Sequence, residues 1–416
     1  MSMIHVFDKN IYLLSAARTP IGRFNGSLAG FSAPQLGGAA IAGALRKAGV
    51  APAQVELVTM GCVVTSGLGE APAKQAALLA GLPETVYSRT VESVCGSGME
   101  ALVSTIDAML AGRVRLAIAG GMESRTNAPY LLEPRFFRSG AHYSKGERLR
   151  LKKTGAYRWQ YGENTEEQLG LSSIVDATAY DGLFWPVERK FMREYAVAFA
   201  QKNHIPLDEV NAQSALSHEK ARKAQEKGYF DKEVVPVGDV ARDELPPPEG
   251  LEKMKEEAKT DIACAYNTST PADNGAAAVV CTESMLNACG GKPVAKLLGF
   301  SRVDGAAADY IDSPVRAVRG LYAALAERDC SEDKLGILEL NEAFGIQLPV
   351  FTREFPRKFI NFCGGAVALG HPFGSAGIRL LTTLVHNMQR LDIRYGAVGI
   401  CFGSGGSYAL AVELTA

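Results

Sequence analysis

Ser93-Val94-Cys95-Gly96-Ser97-Gly98-Met99 places a cysteine among small residues immediately ahead of a helical pattern. Met99, Leu102, Val103, Ile106, Met109 and Leu110 recur at helical spacing, with Glu100, Ser104 and Asp107 between them. Cys95 therefore stands at a helix start, where unpaired N–H groups and the helix dipole favour a thiolate. The glycines after it allow a substrate close to the sulfur. Taken alone, the stretch reads more readily as a buried small cysteine at a tight turn. Partners elsewhere in the chain decide between the two.

Around this stretch, strand and helix patterns alternate. Ile11–Ser15 reads as a strand, Arg18-Thr-Pro-Ile-Gly22 as a turn and Ala39–Ala48 as a helix. Val55–Val64 is strand-like, Ala71–Ala80 a short helix ended by Gly81, and Val114–Ala119 a strand stopped by Gly120-Gly121. Such alternation predicts an α/β fold with a largely parallel sheet. Residues 126–259 break the pattern and are rich in charge and aromatics, as an inserted domain would be. Within them Lys145 and Arg148–Lys153 precede Tyr157, Trp159 and Tyr161, a grip for an anionic ligand or a solvated face. Tyr195–Lys202 and Asp208–Lys227 read as helices.

Order resumes at Asp273–Val280. Ser313-Pro-Val-Arg316 precedes a helix running to about Arg328, and the strand Gly336–Leu340 delivers Asn341-Glu-Ala-Phe344. Gly370-His371-Pro-Phe-Gly-Ser-Ala-Gly377 opens a helix carrying Ile378, Leu381, Val385 and Met388, and the strand Ala397–Cys401 follows. Cys95 and His371 thus each open a Gly/Ser turn, then a helix, then a strand. Two similar halves facing each other would bring both turns to one junction, where pockets form.

The chain has 416 residues, 47% of them hydrophobic and 21% charged, with a net charge of -1. That length suits two or three domains, and the balance gives no reason to expect nucleic acid or an anionic membrane as partner. None of the eight cysteines forms a CxxC pair or a zinc-spaced cluster, so reduced thiols and no metal are expected. Met1–Asn10 lacks an apolar signal stretch, no run has the roughly 20 apolar residues of a membrane helix, and Glu413–Ala416 is not a peroxisomal tripeptide. A cytoplasmic protein is expected.

The chemistry assembles from these pieces. Cys95 is a candidate nucleophile, His371 its base, Cys401 a second acid/base, and Asn341 a holder of water or oxyanion. Each has a plainer reading as a turn histidine, a packed thiol or a strand-end amide. The joint pattern favours a site.

Ser93–Met99, Gly120-Gly-Met-Glu-Ser124, Asn341–Phe344, Gly370–Gly377 and Cys401-Phe-Gly-Ser-Gly405 together resemble the thiolase family, with Arg18–Gly22 and Asn127-Ala-Pro-Tyr130 in support. The resemblance runs from about residue 10 to the end. It implies a five-layer αβαβα fold of two similar halves with an inserted loop domain. The halves would be residues 1–125 with 260–286, and residues 287–416, with 126–259 as the loop domain. It implies acyl transfer between acyl-CoA and CoA, as condensation of two acetyl-CoA or cleavage of 3-ketoacyl-CoA, with no cofactor, in a homodimer or homotetramer and in fatty acid metabolism. By motif, Cys95 carries the acyl group, His371 activates it, Cys401 exchanges the α-proton and Asn341 orders a water. The backbone N–H groups of Cys95 and Gly403 form a second oxyanion hole, and Met192, Thr270 and Phe344 meet the substrate. A ketosynthase-like condensing enzyme and a degenerate thioester-binding protein are the alternatives. The chain departs from the family pattern at Glu92, where Asn is usual, at Phe191-Met192 for His-Met, and at Tyr310–Pro314 and Thr270–Gly275.

Overall fold

The computed structural model describes residues 2–132 and 174–415. Its strands are β1 (Ser2–Arg18), β2 (Gly22–Arg23), β3 (Leu57–Gly61), β4 (Tyr87–Val91), β5 (Leu116–Ser124), β6 (Tyr130–Leu132), β7 (Ile174–Asp176), β8 (Phe184–Trp185), β9 (Lys190–Phe191), β10 (Ala272–Thr282), β11 (Ala295–Asp304), β12 (Ile337–Leu340), β13 (Phe359–Ile360), β14 (Tyr395–Phe402) and β15 (Gly406–Leu414). The helices used below are α1 (Ala33–Ala48), α2 (Pro72–Leu79), α3 (Ser97–Leu110), α4 (Ala177–Leu183), α5 (Met192–Lys202), α6 (Leu207–Glu226), α7 (Pro248–Glu257), α8 (Ser313–Leu325), α9 (Gln347–Glu354) and α10 (Ala376–Leu391).

The main sheet runs β13-β12-β14-β15-β11-β1-β10-β5-β3-β4. Read inward from its two edges, it is the same motif twice. β3 is parallel to β4 and β5, as β12 is to β13 and β14. β10 is antiparallel to β5 and β1, as β15 is to β14 and β11. β1 and β11, antiparallel, join the copies. The sheet is therefore mixed, not largely parallel. The βαβ connections yield the parallel pairs, but a strand that returns through a short turn, as β15 does after β14, can only pair antiparallel.

Strand alternation splits the core into layers. Leu57, Ala117 and Ala119 join Val398, Ile400 and Leu410 of the other half around Met99, Leu102 and Ile106 of α3 and Leu381, Leu384 and Val385 of α10. The neighbouring residues point the other way. Val58, Met60 and Ile118 meet α1 and α2, while Leu338, Ala397 and Ala409 meet α8 and α9. Helix, sheet, helix pair, sheet, helix is the expected five-layer order. Strands covered on both faces explain their unbroken apolar runs.

Several boundaries differ from expectation. Ser2–Asn10, from the polar N-terminal stretch, forms the first part of β1, because Ser2–Val6 pairs with Gly299–Val303. β3 is confined to Leu57–Gly61, and β5 continues through Gly120-Gly121 to Ser124. A Cβ on Gly121 would lie 2.0 Å from the Gly374 carbonyl oxygen. The glycine thus keeps β5 extended while the turn after His371 lies against it. Gly121→Ala is expected to cost roughly 3 kcal/mol or more, read as a lower urea midpoint. An unchanged midpoint would contradict this contact.

The excursion between β5 and β10 carries α4, α5, α6 and α7. The basic and aromatic group at residues 145–161 lies outside the described residues. Arg18 ties the excursion to β1: its Nε donates to Glu233 at 2.7 Å, and its Nη atoms donate to both Asp243 oxygens at 2.6 and 2.7 Å.

Candidate active site

The turn before α3 is held from both sides. The Ser93 N–H donates to Ser97 Oγ at 2.8 Å, and that hydroxyl donates to the Val94 carbonyl at 2.6 Å. Val94 adopts a φ of +47°, a strained conformation for a β-branched residue. Its N–H donates to Glu92, so the residue that departs from the family pattern braces the turn. Cys95 follows, buried, with Gly96 leading into α3. Burial pushes its thiol well up, the neighbouring Cys401 adds to this, and Arg125 opposes it.

His371 comes from the opposite half. Gly370, at φ +96°, turns the chain, and the His371 N–H donates to the Thr270 carbonyl at 2.8 Å. Neither ring nitrogen has a hydrogen-bond partner among the described residues. Burial, then Arg125 and Arg379, pull the imidazole down to about 3. It is therefore neutral and able to accept a proton. The carboxylate of Glu123, at the end of β5, accepts the N–H groups of Val63, Val64 and Gly374. It fastens the turn beside His371 onto the first half.

Cys401 ends β14, buried, with Gln347 Nε2 donating to its sulfur at 3.5 Å. Burial raises its pKa and the Gln347 contact works against that. Asn341 follows β12 and donates its N–H to Gly399 at 2.9 Å. Its side-chain amide is fully buried, near enough to steady the Cys401 thiolate but with neither polar atom in a well-formed hydrogen bond to a described residue, so it can also take a water or a substrate oxygen. Its neighbour Glu342 accepts from Ser217, Asn361 and Val367.

A cavity of about 640 Å³ brings the two turns together. Cys95, His371, Cys401 and Gly403 line it, as do Met192 and Phe344. Thr270 and Asn341 are not in its wall. Thr270 contributes instead the carbonyl that anchors His371, while Thr268, Ser269 and Pro271 face the cavity. Phe191 and Tyr310, two of the departures, also line it, and the Tyr310 hydroxyl donates to the Met192 carbonyl at 2.8 Å. Glu92 and Asp181 line an adjoining cleft of about 340 Å³ that shares Gly182, Leu183, Met192 and Gly403.

Sequence reasoning passed over Arg125 and Phe373. Arg125 is 3% exposed, and its guanidinium lies 3.8 Å over the Phe373 ring, which meets His371 edge-on at 5.2 Å. The available signal was a charge directly after an apolar strand, because strand carboxyl ends face ligand sites in α/β sheets.

Residues 11–284 match the family model for the thiolase N-terminal domain, and residues 291–414 that for the thiolase C-terminal domain. An acetyl-CoA acetyltransferase of Cupriavidus necator is 33% identical, over 97% of this chain and 99% of that one. One of Schizosaccharomyces pombe is 31% identical, over 98% and 99%. A thiolase structure from Ascaris suum in complex with coenzyme A superposes with a TM-score of 0.82 at 28% identity, covering 98% of this chain and all of that one. The human mitochondrial 3-ketoacyl-CoA thiolase in complex with CoA gives 0.84 at 25% identity, covering 98% of both.

Proposed function

The chain belongs to the thiolase family, an acyltransferase family, and from that premise we propose how its own residues move an acyl group. The substrates are acetyl-CoA and 3-ketoacyl-CoA, the classes named for its relatives and structural neighbours. In cleavage, His371 takes the Cys95 proton and the thiolate attacks the 3-keto carbonyl. The carbon–carbon bond breaks, leaving the acyl group on Cys95. The enolate of the departing acetyl-CoA takes a proton from Cys401. The Cys401 thiolate recovers its proton from His371, which then takes the proton of a fresh CoA thiol. The CoA thiolate attacks the Cys95 thioester, and the expelled Cys95 sulfur takes that proton back from His371. Condensation is the same sequence reversed. The Asn341 amide holds a water that, with His371, stabilises one oxyanion, and the N–H groups of Cys95 and Gly403 stabilise the other. Nucleophile, base and acid are all side chains, so the reaction needs no cofactor.

The observation that carries this reading is the single cavity wall shared by Cys95, His371, Cys401 and Gly403. Incubation with acetyl-CoA should leave an acetyl group on the peptide containing Cys95 and on no other cysteine. A label on Cys401 or Cys363, or none, would sink the assignment. The ketosynthase-like and thioester-binding alternatives are not favoured, given acetyltransferase relatives along 97% of the chain.

In this reading residues 126–259 are the loop domain, inserted in the first half, which resumes at residues 260–286. No helix among the described residues is long and apolar enough to cross a membrane, and a cytoplasmic role in fatty acid metabolism is proposed. We also propose a homodimer or homotetramer. The edge strand β4 supports it, with Tyr87 63% exposed and Leu79 of the neighbouring α2 59% exposed. Light scattering should return twice 44.4 kDa or a higher multiple. A monomer mass at micromolar concentration would rule this out.

A further inference from the structure

Arg125 has no role in the reaction just described, yet its charge stands in the wall of the same cavity. Its Nε lacks a hydrogen-bond partner, and no hydrogen bond or ion pair joins its guanidinium to another described residue. Glu123, Asp176 and Asp273 stand near enough to support its charge, but none of them hydrogen-bonds the guanidinium. Glu123 accepts three backbone N–H groups, Asp273 accepts the Thr126 N–H at 3.0 Å, and Asp176 accepts the Thr178 N–H at 2.8 Å. The wall's other arginine, Arg193, is held by both Asp261 oxygens and the Ala263 carbonyl.

The guanidinium rests on the Phe373 ring, but a buried N–H without an acceptor is costly. Burial lowers the Arg125 guanidinium to about 10, which leaves it charged at neutral pH. Much of the remaining wall is apolar, including Leu183, Met192, Phe344 and Phe402. An acyl chain ending in a methyl group leaves the Arg125 Nε without an acceptor in a drier site once bound. A chain ending in a carboxylate supplies the missing partner and can accept two parallel N–H bonds from one guanidinium. We propose, resting on the thiolase reading, that the cavity takes acyl thioesters whose chain ends in a carboxylate, with Arg125 as the counter-ion that selects them. Arg125 is near enough to Cys95 to favour its thiolate. The carboxylate therefore belongs to a short chain, a dicarboxylic acyl group attached to Cys95 through its other end.

The test compares two six-carbon 3-ketoacyl-CoA substrates in CoA-dependent cleavage, one ending in a methyl group and one in a carboxylate. The wild-type enzyme should favour the carboxylate form in kcat/KM by roughly 10-fold or more, the worth of a charge-assisted pair in a buried site. Arg125→Met should collapse or invert that ratio, chiefly by raising KM for the carboxylate form. Arg125→Lys, which keeps the charge, should restore part of it. A purely structural role would lower both rates and leave the ratio intact, and that result overturns the proposal. So does a wild-type preference for the methyl-ended substrate. Acylation of Cys95 by acetyl-CoA separates the two levels. If it occurs and the ratio fails, only the carboxylate proposal falls. If acetyl-CoA and both ketoacyl substrates leave Cys95 unlabelled, the thiolase assignment falls and this proposal with it.

Discussion

Cys95→Ala is expected to abolish acyl transfer, with kcat/KM falling at least roughly 10⁴-fold, the scale on which removal of a covalent nucleophile acts. No other cysteine can stand in. Cys62, Cys264, Cys281, Cys289, Cys330 and Cys363 are buried outside the cavity wall, and Cys401 lies near the end of a strand of the opposite half without the helix start that follows Cys95. The expected pH dependence follows from the two partners. Burial holds the Cys95 sulfur as a thiol, while His371, lowered to about 3, remains an unprotonated base. The resting pair is therefore neutral. Alkylation of Cys95 by iodoacetamide should rise steadily from pH 6 to 9. Lowering the pH through 6.5, where a free imidazole would gain its proton, should produce no separate break. A plateau reached below pH 7 would mean a thiolate–imidazolium pair instead. Cleavage by Cys95→Ala within 10²-fold of the parent would show that the acyl group travels another way.

Cys401→Ala is expected to divide the reaction. Acylation of Cys95 by acetyl-CoA needs His371 and an oxyanion hole but no proton taken from carbon, so labelling of Cys95 should survive in large part. Carbon–carbon bond formation and cleavage need an acid/base at the α-carbon, and their rates should fall by roughly 10²–10⁴-fold. His371→Ala should damage acylation itself, because the buried thiol then has no base beside it. Both variants are to be assayed for labelled acetyl transfer and for 3-ketoacyl-CoA cleavage, with folding checked by thermal unfolding. Equal loss of both half-reactions in a folded Cys401→Ala enzyme, or near-normal cleavage, would refute this division. The geometry motivates it. The two sulfurs come from opposite halves, Cys95 at the start of α3 and Cys401 at the end of β14, yet line one cavity. The two thiols are tuned in different ways: Cys401 pushes the Cys95 thiol up, while Gln347 and Asn341 steady the Cys401 thiolate.

The repeated strand order explains why so distant residues meet. α3 and α10 occupy equivalent places in the two copies and share one core. Their N-terminal turns therefore lie side by side, and glycines allow the contact. A Cβ on Gly98 would stand 2.8 Å from the Gly374 carbonyl, and one on Gly377 would stand 2.7 Å from the Met99 nitrogen. Close approach of two backbones requires the small residues that make these turns conspicuous in the chain.

That property decided how much could be read in advance. Chemistry-bearing residues in Gly-rich turns, and apolar strands alternating with amphipathic helices, are local patterns. Cys95, His371, Cys401, Gly403, Met192 and Phe344 were legible from them or from the family's motifs, as was the layered α/β architecture. Other features depended on partners distant in the chain. The sense of β10 and β15 follows from how each half closes, and the strand at Ser2–Val6 exists through its pairing with β11. Thr270 serves through its carbonyl because the chain there runs beside His371. Arg125 shows the limit most clearly. In the sequence it is one arginine after a strand, with nothing to distinguish it from a surface charge. Only the packing of β5 against the Phe373 turn buries it with its Nε lacking an acceptor among the described residues, because burial and pairing are set by what the fold brings around a side chain and not by its neighbours along the chain.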